Sequence, residues 1–190
     1  MSHKKFDPSR AERLISAERY QELKPDIILQ KLGIRSGKTI LDLGCGNGFF
    51  TFPAAVAMGE GMVIAADMSE EMLSLLKQRN TPDNIQILKV DEVKMDIEDD
   101  SVDAAVLIAI YHEFTSPLDN LAEIRRTLKP QGKVLILDWD PQSEKERGPA
   151  KAHRVAKVQA MKDLKAAGFT VENHENYTLD MWMIVAHANT

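Results

Sequence analysis

Cysteine is nearly missing from this chain: Cys45 is the single one in 190 residues. That excludes a disulfide-built scaffold and any metal site made of thiolates. Long apolar runs are missing too, and none approaches the ~20 residues that a bilayer-spanning helix needs. Positive charge is in deficit, with 24 Lys and Arg against 29 Asp and Glu and a formal charge of −5. This balance argues against a dedicated nucleic-acid binder, whose affinity rests on cations neutralising phosphates. Met1 to Asp7 is polar and has no apolar core, so the expectation is no secretory signal and a cytoplasmic location. His112, His153, His174 and His187 make no ligand spacing, so no metal site is expected.

What is there fits a single domain, 1–190, at the usual ~150 residues per domain. Residues 9–32 have apolar positions near helical spacing, interrupted by Pro25, and we take 1–36 as a helical extension ahead of a core at 37–190. Thr39 to Leu43, Met62 to Ala66, Ile85 to Val90, Val102 to Ile110 and Val134 to Leu137 read as strands. Several are apolar without alternation, as in a parallel sheet covered on both faces. Helices are expected at Phe50–Met58, after Ser69 as N-cap, from Ser116-Pro117 through Leu128, and over 150–167 with Gly168 at the C-cap. Lys129 to Gly132 is expected to turn between helix and strand. Phe169–Glu175 and Met181–Ala188 have no helix between them and should pair as an antiparallel hairpin. The fold class is therefore α/β, a seven-stranded, mostly parallel, Rossmann-like sheet with helices on both faces.

The chemistry concentrates at Leu41-Asp42-Leu43-Gly44-Cys45-Gly46-Asn47-Gly48, directly after a strand and before a helix. Glycines there let the backbone turn tightly and let a ligand approach. The spacing is G-x-G-x-G, with Phe49 where a dinucleotide site wants its third glycine. Asp42 sits two residues before the first glycine. It would repel a pyrophosphate and attract an ammonium, so the ligand should carry a cationic amine and no phosphates. Asp67 ends the second strand at the distance expected of an acid that accepts from ribose hydroxyls; an acid ahead of a helix N-cap is the other reading. Met68 offers a polarizable surface to an adenine or fills core. Asp91 and Glu92 follow the third strand and either accept from an adenine amino group or are solvated acids of an acidic loop.

These residues, in this order, resemble a class I S-adenosylmethionine-dependent methyltransferase, in the branch with quinone-biosynthesis C-methyltransferases and arsenite methyltransferase relatives. The similarity is carried by Leu41–Gly48, Ala66-Asp67-Met68-Ser69, Asp91, Ser101-Val102-Asp103 and Leu128-Lys129-Pro130-Gln131-Gly132-Lys133-Val134. It spans roughly residues 25–190. Gln131 stands where the family commonly has Gly. The resemblance implies S-adenosylmethionine as cofactor, with its amine near Asp42, its ribose on Asp67 and its adenine near Asp91. Gly44, Gly46, Asn47, Gly48, Met68, Glu92 and Ala109 complete the expected cofactor set. It implies in-line displacement by a nucleophile at the sulfonium methyl, with the protein aligning the partners.

The acceptor is less legible. An Asn/Asp-Pro-Pro-Tyr/Phe motif and a cysteine set are both missing, which disfavours nucleobase, glutamine and arsenite acceptors. His112 lies where a general base could sit, or is a structural histidine. Trp139, Tyr20, Tyr111 and Trp182 line a pocket or belong to the core. The expected function is methyl transfer to a small molecule; the alternative is a non-catalytic cofactor-binding regulatory or scaffold protein. The extension is expected to act as a lid, adding Phe6, Arg10, Arg19 and Tyr20 to the pocket; the other reading is a fixed helix on one sheet face.

Overall fold

A computed structural model describes residues 11–144 and 147–189. Three short helices lead the chain: α1 (Ala11–Leu14), α2 (Ala17–Leu23) and α3 (Pro25–Leu32). Lys24 takes a left-handed conformation with φ 43° and Pro25 opens α3, since a proline lacks the N–H that a continuing helix would bond. The core then alternates β1 (Thr39–Leu43), α4 (Thr51–Met58), β2 (Met62–Asp67), α5 (Glu70–Lys77), β3 (Ile85–Lys89), β4 (Val102–Ile108), α6 (Pro117–Thr127), β5 (Leu128–Trp139), α7 (Lys157–Ala166), β6 (Phe169–Asn176) and β7 (Met181–Ala188).

The sheet order is β3-β2-β1-β4-β5-β7-β6. β1 pairs parallel with both β2 and β4, β4 with β5, and β7 runs antiparallel between β5 and β6. Adjacent strand residues face opposite sides. Ile40, Val106 and Leu135 join Leu32, Met58 and Leu76 in one apolar layer. Leu41, Leu107 and Ile136 join Leu121, Ile124 and Leu164 in the other. Burial on both faces is why these strands are apolar without alternation. The strand order reverses between β1 and β4, and the crevice at their C-terminal ends is where open α/β sheets hold ligands.

Two expectations need correction. Lys129–Gly132 is not a turn ahead of the strand: β5 begins at Leu128, and the segment forms an irregularity between the pairs Val102↔Leu128 and Ala104↔Lys133. Gln131 holds φ 62° there, so the bend is made despite the missing glycine. Residues 150–156 do not belong to the helix. They form a 3-10 turn at Lys151–His153 and then an extended stretch, while Arg154 donates to the carbonyls of Pro149, Asp140 and Arg147. Ala167 caps α7 and Gly168 follows it with φ 85°. Ser116 is the N-cap of α6 with Pro117 at its start, as expected, though without a side-chain capping bond, whereas Ser69 does accept from the Met72 N–H at 3.3 Å. No helix among the described residues is long and apolar enough to cross a membrane.

Candidate active site

The glycine loop is sewn to the end of β2. The Gly44 and Cys45 N–H groups both donate to the Ala66 carbonyl, at 2.8 and 3.1 Å. The Gly46 N–H donates to Asp67 Oδ2 at 2.8 Å, and the Ser69 N–H donates to Asp67 Oδ1 at 2.8 Å. Asp67 therefore bridges the loop to the start of α5. Gly44, Gly46 and Gly48 have φ of 70°, 54° and 92°, a region where a Cβ costs energy. A Cβ on Gly44 would also lie 2.5 Å from Ile110 Cγ2. The loop thus packs backbone-close against the residues leaving β4.

Two carboxylates converge on this loop, and among the described residues neither has a cationic partner. Asp42 is 2% exposed and accepts from the Thr51 hydroxyl at 2.6 Å. Desolvation pushes its pKa up to about 7 against the lowering effect of Thr51, and the charge of Asp67 adds to the rise. Asp67 is raised as well, mainly by burial. Buried negative charge without a counter-ion is costly, so the site favours a cationic ligand group. Cys45 is buried and its thiol pKa is pushed well up by desolvation, so it is a packing residue rather than a nucleophile.

The remaining expected cofactor residues spread along the strand ends. Met68 is 38% exposed. Asp91 is exposed. Glu92 accepts from the backbone N–H of Thr115 at 3.3 Å and from its hydroxyl, tying the loop after β3 to the loop after β4. Ala109 carries φ 58° and donates to the Leu137 carbonyl at 2.7 Å, which fixes the exit of β4 against β5. Asn47 is 3% exposed and its Nδ2 donates to the Ala11 carbonyl at 2.8 Å, so this side chain anchors the N-terminal segment.

At the adjoining ends of β4 and β5 stands a pair that was only half legible. His112 Nδ1 lies 2.8 Å from Asp138 Oδ1, and the His112 N–H donates to Asp138 Oδ2 at 3.1 Å. Glu113 lies 3.8 Å from Nε2. Burial opposes protonation of the ring, but the hydrogen bond and charge of Asp138, with Glu113, hold its pKa above the ordinary value. Asp138 is 0% exposed. The signal that could have found it is an acid directly after the apolar run Val134–Leu137, at the ligand-binding end of a parallel strand. Tyr111 and Trp182 belong to the core: they are 1% and 0% exposed, and their polar atoms bond Asp163 and the Val155 carbonyl.

The N-terminal segment lies over the loop. Tyr20 packs on Phe49 with ring centroids 4.8 Å apart, and Arg19 stacks on the same ring at 4.9 Å. A Cβ on Gly46 would stand 3.5 Å from Leu14 Cδ1. The segment is held from behind by the Tyr177 hydroxyl on the Leu23 carbonyl at 2.8 Å, by Lys31 on Glu175 at 2.8 Å and by Arg147 on Glu22. Phe6 and Arg10 lie outside the described residues.

Among the described residues, no group of three His, Cys, Asp or Glu is arranged to hold a metal ion. The residues do fit S-adenosylmethionine: uncompensated carboxylates for a cationic amino-acid end, and glycines where a Cβ would obstruct approach. Comparison with known proteins agrees. A family model described as a methyltransferase domain matches residues 34–184. The crystal structure of a SAM-dependent methyltransferase from Aquifex aeolicus superposes with a TM-score of 0.91 at 29% identity, covering 96% of this chain and 99% of that one. A putative methyltransferase of Haloferax volcanii, solved with a Trm112 activator, shares the fold at 19% identity, TM-score 0.83, covering 96% and 95% of the two chains. Demethylmenaquinone methyltransferase of Staphylococcus aureus is 31% identical over 137 residues, which is 71% of this chain and 56% of that protein. A 37.1 kDa transposon-encoded protein of Streptomyces fradiae is 34% identical over 60% of this chain, which spans only 34% of it. The chain thus spans between a third and rather more than half of these curated relatives.

Proposed function

The chain belongs to the methyltransferase-domain family, whose methyl donor is S-adenosylmethionine, and on that footing we propose that it methylates a small-molecule acceptor in the cytoplasm. The observation that carries the reading is the glycine loop with the buried Asp42 and the half-buried Asp67, neither with a cationic partner among the described residues, beside the sheet's switch point. The donor supplies an electrophilic methyl on a sulfonium. Asp42 takes the ammonium end of the amino-acid moiety, and Asp67 accepts from the ribose with the lone pairs not used by Gly46 and Ser69. Met68, Asp91 and Glu92 would hold the adenine, and Ile110, next to Ala109, packs against Gly44.

An acceptor X–H that attacks the methyl carbon must lose its proton, leaving X–CH₃ and the thioether. His112 Nε2 takes that proton, while Asp138 on Nδ1 fixes the tautomer and steadies the imidazolium formed. This favours an acceptor with an ionisable hydroxyl, thiol or activated carbon acid. The segment 11–23 closes over the reacting centre as a lid, excluding water from it. The test is transfer of a labelled methyl to a panel of phenols, thiols, amines and carbon acids. Turnover that survives EDTA and is lost on His112→Ala supports this reading, and turnover indifferent to His112→Ala contradicts the role of the histidine.

A further inference from the structure

Among the described residues Arg19 makes no hydrogen-bonded ion pair. Its guanidinium lies over the Phe49 ring at 4.9 Å, and its Nε is shut off from solvent with no hydrogen-bond partner. The acids on its own helix do not hydrogen-bond it, although the charge of Glu22 supports it from a distance. Glu18 is exposed, and Glu22 accepts from both terminal nitrogens of Arg147. Stacking on an aromatic ring satisfies the face of a guanidinium, yet the N–H donors lie in its plane, and the Nε–H remains unmet. A buried donor left this way costs energy that a bound anion would return. Burial brings the Arg19 pKa down to about 10, against the supporting charges of Glu22 and Tyr20 and with the repulsion of Arg147.

The place of this cation gives it meaning. Arg19 sits on α2, and Phe49 directly follows the glycine loop. Across the same seam the Asn47 side chain donates to the Ala11 carbonyl while its Oδ1 is buried and unpaired. One stretch of four residues, 46–49, is thus bordered by an unmet donor from the lid, an unmet acceptor from the loop, and the uncompensated Asp42 at the end of β1. An α-amino acid moiety presents the complement: a carboxylate for the first, an ammonium for the other two.

We propose that Arg19 is a carboxylate-binding residue, contributed by the N-terminal segment, that clamps the amino-acid end of the S-adenosylmethionine ligand against the glycine loop. This rests on the methyltransferase reading and adds that the cofactor site is incomplete without α2. The planar guanidinium can grip a carboxylate with two parallel bonds, which a lysine ammonium cannot.

Calorimetry with two ligands tests it: S-adenosylhomocysteine, which has the amino-acid moiety, and 5′-methylthioadenosine, which has the same nucleoside without it. Arg19→Gln should weaken S-adenosylhomocysteine at least tenfold and leave methylthioadenosine within twofold of wild type. Arg19→Lys should recover part of the loss. Unchanged methylthioadenosine affinity also shows that the variant is folded. Equal losses for both ligands mean that Arg19 only supports the fold, and no loss for either means that it binds no carboxylate; each result overturns the proposal. An anionic acceptor as the true partner of Arg19 would likewise appear as unchanged S-adenosylhomocysteine affinity. Wild-type protein that binds neither ligand would instead refute the methyltransferase reading itself.

Discussion

His112 and Asp138 are joined twice: ring Nδ1 to Oδ1 at 2.8 Å and backbone N–H to Oδ2 at 3.1 Å. The doubled contact sets the imidazole's direction as well as its charge. A histidine whose folded pKa is raised stabilises the protein below its unfolded pKa, and loses that contribution as pH rises through the folded value. As a base the ring works in the neutral form. The rate should therefore climb with pH through a pKa above that of a free histidine. Asp138→Asn should move this limb to lower pH and reduce kcat/KM roughly tenfold or more, while His112→Ala removes about 10²–10⁴-fold. A pH–rate profile of the three proteins checks this.

Asp42 predicts a pH dependence of binding with the opposite logic. Its folded pKa, pushed up to about 7, lies above the ordinary carboxylate range, so the folded state keeps a proton that the unfolded state releases. Its burial thus weighs more against folding as pH rises from the ordinary carboxylate range to about 7. A bound ammonium favours the ionised form. S-adenosylhomocysteine should bind more tightly at pH 8 than at pH 6 and release a proton near pH 6. Calorimetry in two buffers of different ionisation enthalpy measures that proton. In Asp42→Asn both effects should vanish.

Asp67 holds the Gly46 and Ser69 amides and, on the proposed reading, the ligand ribose, and its removal should show both. Asp67→Ala loses a charged acceptor for the ligand, about 1–3 kcal/mol or a five- to 150-fold loss of affinity. It also strands the Gly46 and Ser69 amides, so the melting temperature should fall as well. Gly44→Ala should be worse for the fold, because the added methyl would stand 2.5 Å from Ile110 in a left-handed backbone. Thermal melts with and without ligand separate the two effects.

Much of this was legible from residue order. The bounds of β1, the Ser69 cap and the hairpin of β6 and β7 follow from local rules of alternation, capping and connection length. Asp42 and Asp67 were marked by their offsets from the glycines. What was not legible depends on closure in three dimensions. Asp138 meets His112 only because β4 and β5 lie side by side. Residues 150–156 are extended because the buried Arg154 draws three carbonyls to itself. The role of Asn47 as the anchor of Ala11 involves a contact 36 positions apart, which no local pattern encodes.

The proposed lid makes a kinetic prediction. The Arg147–Glu22 pair that helps to hold α2 is partly exposed, and such pairs contribute little, about 0–1 kcal/mol, and less in high salt. Amides of residues 11–22 should therefore exchange faster than those of β1 and β4, and slow on addition of S-adenosylhomocysteine. Equal protection with and without the ligand would make α2 a fixed cover rather than a lid.

The measurement that bears most directly on the function is transfer of label from methyl-labelled S-adenosylmethionine into cell extract, followed by separation of small from large molecules. The account predicts label in a small-molecule product, S-adenosylhomocysteine formed in equal amount, and loss of both in Asp67→Ala. Tight cofactor binding with no label transferred, or label confined to protein or nucleic acid, would contradict it.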